Sequence, residues 1–211
     1  MINRIKKFWQ DLILLLFKKR KNIRLGLYGA PNSGKTTLAN RMCKDVTGEK
    51  LGKVSKVPHE TREFHEMPEM KIDLDGKELT FTLIDTPGIA TNVDYEEFLK
   101  FGISKKRSKK RAIEATQGVI DAIQKLEEMD AVIVLIDSSK DALTQVNLTI
   151  ISTLHAKKIP FIIAGNKCDL RRADIEAVQE SFPDYTVVGI SAKKGTGLDK
   201  LYKALIDEVY S

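Results

Sequence analysis

From Arg24 onward the chain alternates short apolar runs with stretches of helical period, and that alternation predicts the elements of the fold. Leu25–Tyr28 reads as a strand and Lys35–Val46 as a helix. Lys71–Leu74 and Leu79–Ile84 are two more strands, flanking Asp75-Gly76, a pair suited to the positive φ angles of a two-residue hairpin turn. Ala112–Glu128 has the period of a long helix. Ala131–Asp137 and Phe161–Gly165 are continuously apolar, as strands buried on both faces are, and Leu143–Lys157 between them is helical. A helix at Ile175–Ser181, a strand at Thr186–Ile190 and a helix at Leu198–Val209 complete the order. The pattern predicts an α/β doubly wound fold: a six-stranded, mostly parallel sheet with one antiparallel edge strand supplied by the hairpin.

Residues 1–21 follow a different rule. Wound at 100° per residue, Ile2, Ile5, Phe8, Trp9, Leu12, Ile13, Leu15 and Leu16 share about half of a helix circumference, with Arg4, Lys6, Lys7, Gln10 and Asp11 outside it. The unbroken apolar run, Leu12–Phe17, is far below the ~20 residues that span a bilayer, and no small-residue cleavage site follows it. The segment reads as a basic amphipathic helix preceding a domain over residues 22–211.

Composition narrows the class. At 211 residues, with 42% hydrophobic and 30% charged side chains, the chain can bury a core, which argues against a disordered or fibrous protein. Two cysteines and three histidines, scattered without ligand spacing, argue against a disulfide framework or a transition-metal enzyme. The net charge of +6 is unevenly spread. Residues 1–24 contribute +7 and residues 100–111 another +7, which leaves about −8 for the remainder. An anionic partner would therefore meet two basic segments rather than the whole surface.

The chemistry lies between the predicted elements. Gly29-Ala-Pro-Asn-Ser-Gly34-Lys35-Thr36 is G-x-x-x-x-G-K-T between a strand and a helix, the setting of a phosphate-binding loop. Its glycines let backbone N–H groups converge on phosphates, and the helix start adds a positive dipole end. Lys35 can reach β- and γ-phosphates, and the Thr36 hydroxyl can bind Mg²⁺. Asp85-Thr86-Pro87-Gly88 follows a strand, where Asp85 suits Mg²⁺ held through water and the Gly88 N–H can approach a γ-phosphate. Asn166-Lys167-Cys168-Asp169 and Ser191-Ala192-Lys193 follow the last two strands, at the carboxyl edge where open α/β sheets bind ligands. The Asp169 carboxylate can accept from N1–H and the exocyclic amine of guanine, a donor pair that adenine lacks.

These four segments, in this order over about residues 24–210, resemble the translation-factor class of P-loop GTPases, and the Era and TrmE families most. The resemblance implies a Ras-like G domain binding GTP or GDP with Mg²⁺. It gives Asn166 and Asp169 the base, packs Lys167 over it, and supports it with the Ser191-Ala192 backbone. The expected nucleotide contacts are Gly29, Asn32, Ser33, Gly34, Lys35, Thr36, Thr37, Gly88, Asn166, Lys167, Asp169, Ser191, Ala192 and Lys193. A switch threonine that closes over Mg²⁺ and the γ-phosphate is expected at Thr61, in Glu60-Thr61-Arg62, with Thr47 and Ser55 as alternatives closer to the first helix. The metal set is thus Thr36, Thr61 and Asp85, and the catalytic set Lys35, Thr61 and Asn32. In TrmE relatives the asparagine matching Asn32 helps to bind K⁺, so K⁺ over Na⁺ stimulation follows from the resemblance; simple turn chemistry would equally call for an asparagine there. Where Ras-like relatives carry a water-orienting glutamine this chain has Ile89, which implies slow hydrolysis.

The flanking segments set the expected partners. With the chain ending at Ser211, Era's RNA-binding KH domain is expected to be absent. Residues 1–21 read as a membrane-surface anchor on the cytoplasmic side, with a partner-protein groove or the chain's own domain as other seats for the apolar face. Residues 91–111 form a switch-proximal insert whose basic run, 105–111, would contact RNA or lipid headgroups, or simply be solvated. The leading reading is a slow, membrane-peripheral GTPase switch with an effector protein still to be named. Two alternatives stand beside it, an RNA- or ribosome-associated GTPase and a non-hydrolysing guanine-nucleotide scaffold.

Overall fold

The computed structural model describes residues 22–47, 65–74, 77–86, 88 and 122–210. The N-terminal helix, Thr61, the Asp75-Gly76 turn, Ile89 and the basic insert lie outside the described residues, as do residues 112–121 of the long helix.

Six strands form one sheet: β1 (Ile23–Gly29), β2 (His65–Leu74), β3 (Lys77–Asp85), β4 (Ala131–Asp137), β5 (Phe161–Asn166) and β6 (Val187–Gly189). Their spatial order is β2-β3-β1-β4-β5-β6. Every pairing is parallel except β2 with β3, so the antiparallel strand is at the edge, as the alternation predicts. The register closes with Leu74 opposite Lys77, the spacing of a two-residue hairpin. Besides the helical residues 122–125, four helices among the described residues cover the sheet: α1 (Lys35–Thr47), α2 (Gln145–Lys157), α3 (Ile175–Ser181) and α4 (Leu198–Tyr210). Side-chain oxygens of Thr144 and Asp174 accept from Asn147 and Ala177 N–H, fixing where α2 and α3 begin.

The strands' two-residue period sorts the core into two layers. Leu25, Leu27, Phe81, Leu83, Ile133 and Leu135 pack with Leu38 and Met42 of α1 and Leu201 and Leu205 of α4. Tyr28, Val132, Val134, Ile136 and Ile163 pack on the other face with Ile150 and Leu154 of α2 and Val178 of α3. Burial on both faces is why β4 and β5 read as unbroken apolar runs.

The structure departs from the pattern at β2, which starts at His65, six residues before the apolar signal. The register shifts between Glu66 and Glu69, around Pro68, so the buried methionines Met67 and Met70 are three residues apart instead of two. At an edge a proline is tolerated because its missing N–H would face outward. β6 is shorter than predicted, and helical residues 122–125 run into a 3₁₀ turn at Leu126–Glu128.

Gly26 makes room for Tyr28 on the second face. A Cβ there would lie 2.7 Å from Tyr28 Cε2 and 3.0 Å from Met129 Cγ, while the Tyr28 hydroxyl donates to the Ala122 carbonyl at 3.0 Å. In Gly26→Ala the entropy gain, about 0.4–1 kcal/mol, competes with overpacking that costs about 1–3 kcal/mol. With the ring buried and tethered, net destabilisation of about 1 kcal/mol is expected in urea unfolding. Net stabilisation would mean that the Tyr28 ring moves aside freely.

Candidate functional site

The carboxyl ends of β1, β3, β4 and β5 lie along one edge of the sheet, and the predicted motifs follow them there. The loop from β1 to α1 turns on residues with positive φ: Gly29 at 149°, Asn32 at 59° and Gly34 at 105°. Contacts enforce glycine at the two ends. A Cβ on Gly29 would meet Leu135 O at 2.3 Å, and one on Gly34 would meet Asn166 Nδ2 at 2.2 Å. Lys35, Thr36 and Thr37 form the first turn of α1, whose N–H groups lack intrahelical acceptors and give an anion a ready cradle.

Lys35 is buried, and its Nζ donates to Gly29 O at 3.1 Å and Ala30 O at 3.0 Å, wrapping the side chain back over the loop. Burial lowers its pKa to about 8, with the nearby Asp85 charge acting in the opposite direction. Burial pushes the Asp85 carboxyl up, opposed by the Thr36 hydrogen bond and the Lys35 charge. Thr36 Oγ1 donates to Asp85 Oδ2 at 2.7 Å, and Asp85 Oδ1 is buried with no hydrogen-bond partner among the described residues. A hydroxyl beside a carboxylate with an unused buried oxygen is a hard-oxygen set that fits Mg²⁺. Beyond β3, the Thr86 hydroxyl donates to the Leu27 carbonyl, and Gly88 backs onto the loop, where a Cβ would meet Pro31 Cα at 2.8 Å.

The second half of the site hangs on Asn166. Its Nδ2 donates to Ser33 O at 2.7 Å, and its Oδ1 accepts from Ala192 N at 3.0 Å. One buried amide thus links the phosphate-loop sequence, β5 and the loop after β6. Asp169 Oδ1 accepts from Ser191 Oγ at 2.7 Å, and Ser191 Oγ in turn accepts from Lys194 N at 3.1 Å. The Ser191 bond, chiefly, holds the Asp169 carboxyl below the usual range and therefore charged. Lys167 adopts φ 68° and places Nζ 2.6 Å from Asp137 Oδ2. Lys193 is exposed on the same loop as Ala192.

The structure brings together the described members of the expected set, with Asn32 at the exposed tip of the β1–α1 loop; Thr61 lies outside the described residues. Two participants carried no motif. Asp137 ends β4 at the same edge as the other candidate residues, a position that could have marked it, and it pairs with Lys167. Arg41, two turns along α1, donates to the carbonyls of Ala192 and Lys193, and nothing in the local pattern signals it. Among the described residues no group of three or more His, Cys, Asp or Glu is arranged to hold a metal, and no helix is long and apolar enough to cross a membrane.

Comparison with known proteins agrees with this geometry. Residues 24–167 match the family described as 50S ribosome-binding GTPase. The tRNA modification GTPase MnmE of Aquifex aeolicus (strain VF5) is 31% identical over 190 residues, 90% of this chain and 35% of that protein. The GTPase Der of Marinomonas sp. (strain MWYL1) is 32% identical over 193 residues, 88% of this chain and 38% of that protein. The chain thus spans little more than a third of the length of these relatives. An Aquifex aeolicus Era variant bound to GDP and aluminium fluoride superposes with a TM-score of 0.66 at 24% identity, covering 89% of this chain and 57% of that one. Era in complex with MgGDPNP and a 16S ribosomal RNA fragment gives 0.67 at 23%, with the same coverage. At such identities the structural likeness establishes the fold.

The Lys35 environment has a pH signature. Between pH about 8 and 10.5 the unfolded chain still binds the proton that folded Lys35 has released, so unfolding free energy rises with pH across that window. Relative to Lys35→Met, the ligand-free wild type is expected to gain up to about 3 kcal/mol over it. Chemical denaturation at pH 7.5 and 10.5 measures this, and a constant difference between the two proteins would contradict the burial of a lysine charge.

Proposed function

The chain belongs to the 50S ribosome-binding GTPase family, and on that premise we propose that it binds guanine nucleotide at this sheet edge and slowly hydrolyses GTP to GDP and phosphate. The observation that carries the reading is the Asn166 amide, which joins the phosphate loop to the base loop and makes one continuous site of two. A diphosphate or triphosphate lies along residues 29–37. Lys35 leaves its two loop carbonyls to meet the β- and γ-phosphates, and the Gly88 N–H meets the γ-phosphate. The base is received by Asn166, Asp169 and the Ser191-Ala192-Lys193 loop, with the Lys167 stem against its face.

Thr36 and, through water, Asp85 would hold Mg²⁺, with Thr61 joining them in the GTP state; the ion would supply positive charge to the phosphate oxygens. Positioning and charge stabilisation by Lys35, the loop amides and Asn32 remain the chain's own part in catalysis. Ile89 has no group to orient the attacking water, so intrinsic turnover is slow; if Asn32 holds K⁺, single-turnover rates in KCl exceed those in NaCl.

The division into residues 1–21 and 22–211 is part of this proposal. The amphipathic arc of residues 1–21 supports a peripheral seat on the cytoplasmic face of an anionic membrane. The second reading is an RNA-associated GTPase using residues 105–111, favoured by the Era neighbour bound to a 16S ribosomal RNA fragment. Flotation on anionic vesicles against gel shift with RNA, each with and without residues 1–21, separates them. Flotation that needs residues 1–21 supports the membrane seat, and a salt-sensitive RNA shift that survives their removal supports the other.

Base choice is tested at Asp169. A carboxylate accepts from both guanine donors, whereas an amide presents its NH₂ to the 2-oxo group of xanthine. Asp169→Asn is expected to weaken GDP binding at least tenfold and to favour XDP, read by fluorescence titration with labelled nucleotides. Unchanged GDP affinity would remove Asp169 from the base site.

A further inference from the structure

We propose that Arg41 is a positioning residue for base recognition, its guanidinium holding the loop after β6 in register with Asp169. The proposal rests on the guanine-nucleotide reading above. Arg41 sits six residues beyond Lys35 on α1, the helix whose first turn would, on that reading, face the phosphates. Its Nη2 donates to Lys193 O at 2.8 Å, and its Nε donates to Ala192 O at 3.4 Å. The guanidinium also packs over Gly195, where a Cβ would meet Cζ and Nη1 at 3.3 Å. Three residues of one short loop therefore close around a single planar cation.

The loop has few other holds on the protein body. Ser191 N donates to Thr196 O and Gly195 N to Ser191 O, bonds that shape the turn without anchoring it. Its described anchors on the β5 side are Ala192 N on Asn166, Ser191 Oγ on Asp169 and the exposed Lys194 ammonium 3.7 Å from Asp169 Oδ2, with the Ala192 side chain in the core. Arg41 grips the opposite side, from α1, and fixes the loop between two elements. The acid one turn further, Asp45, accepts from the Tyr202 hydroxyl of α4 at 3.2 Å, so that face of α1 is committed to the base loop and α4. Two carbonyls offset along a chain suit the rigid fork of arginine, which presents several donors in one plane; a lysine ammonium concentrates its charge at a point. The consequence is a mechanical link: the helix that begins at the phosphates also sets the wall of the base slot.

Arg41→Ala and Arg41→Lys, compared with wild type, test this. The measurements are the dissociation rate of fluorescent GDP, the melting temperature without nucleotide, and backbone hydrogen exchange of the nucleotide-free protein. For Arg41→Ala we expect GDP release about tenfold faster and faster exchange at residues 192–195, with exchange in β1 and β4 unchanged. Arg41→Lys should recover only a minor part. Unchanged release and loop exchange in Arg41→Ala would overturn the proposal. So would full rescue by lysine, which would leave charge alone as the cause, or loss of protection throughout the sheet, which would mark a general support of the fold. If wild type fails to bind GDP, the nucleotide reading falls, and loop exchange still decides whether Arg41 positions the loop.

Discussion

A single carboxamide organises the candidate site. Asn166 ends β5, and its two polar atoms face opposite ways, one donating to the Ser33 carbonyl and one accepting from the Ala192 amide. The three segments it joins lie far apart in the chain, so nothing local would keep the loop after β1 and the loop after β6 at a fixed separation. In a buried setting each of those backbone groups would cost about 1–3 kcal/mol if left unpaired, which gives the arrangement a strong preference for one geometry. Gly34 belongs to the same constraint, because only a residue without a Cβ leaves space for the amide.

Around that joint, the charges are held under tension. Lys35 and Asp85 are both buried, and burial opposes the charged form of each. Their mutual attraction and the Thr36 bond offset part of this. The unused Asp85 Oδ1 shows that the offset is incomplete among the described residues. A site in this condition favours ligands that bring the missing charges and donors with them. The far side is different: Asp169 is bonded by Ser191 and held ionised, so its acceptor is fixed in place and in charge.

Much of this was legible in the sequence because it depends on local rules. The alternating pattern identified six strands and five helices, four of them described in full, and the glycines, Lys35, Thr36, Asp85 and the Asn166–Asp169 run stand at strand ends, where a sheet's carboxyl edge collects them. What was not legible depends on contacts between distant residues. The start of β2 was hidden because its shift around Pro68 breaks the two-residue alternation. The Asp137–Lys167 pair joins the ends of neighbouring strands, and Arg41 reaches a loop about 150 residues away, so neither leaves a periodic trace. The switch threonine, the basic insert and the N-terminal arc fall outside the described residues and stand as readings of the sequence.

The bonds from Lys35 to the carbonyls of Gly29 and Ala30 have one more implication. The loop's own side chain thereby satisfies two of its backbone acceptors. Reaching back from the first turn of α1, the ammonium ties the end of the loop to its start and works as an internal splint, so the winding of the loop is held from within its own sequence.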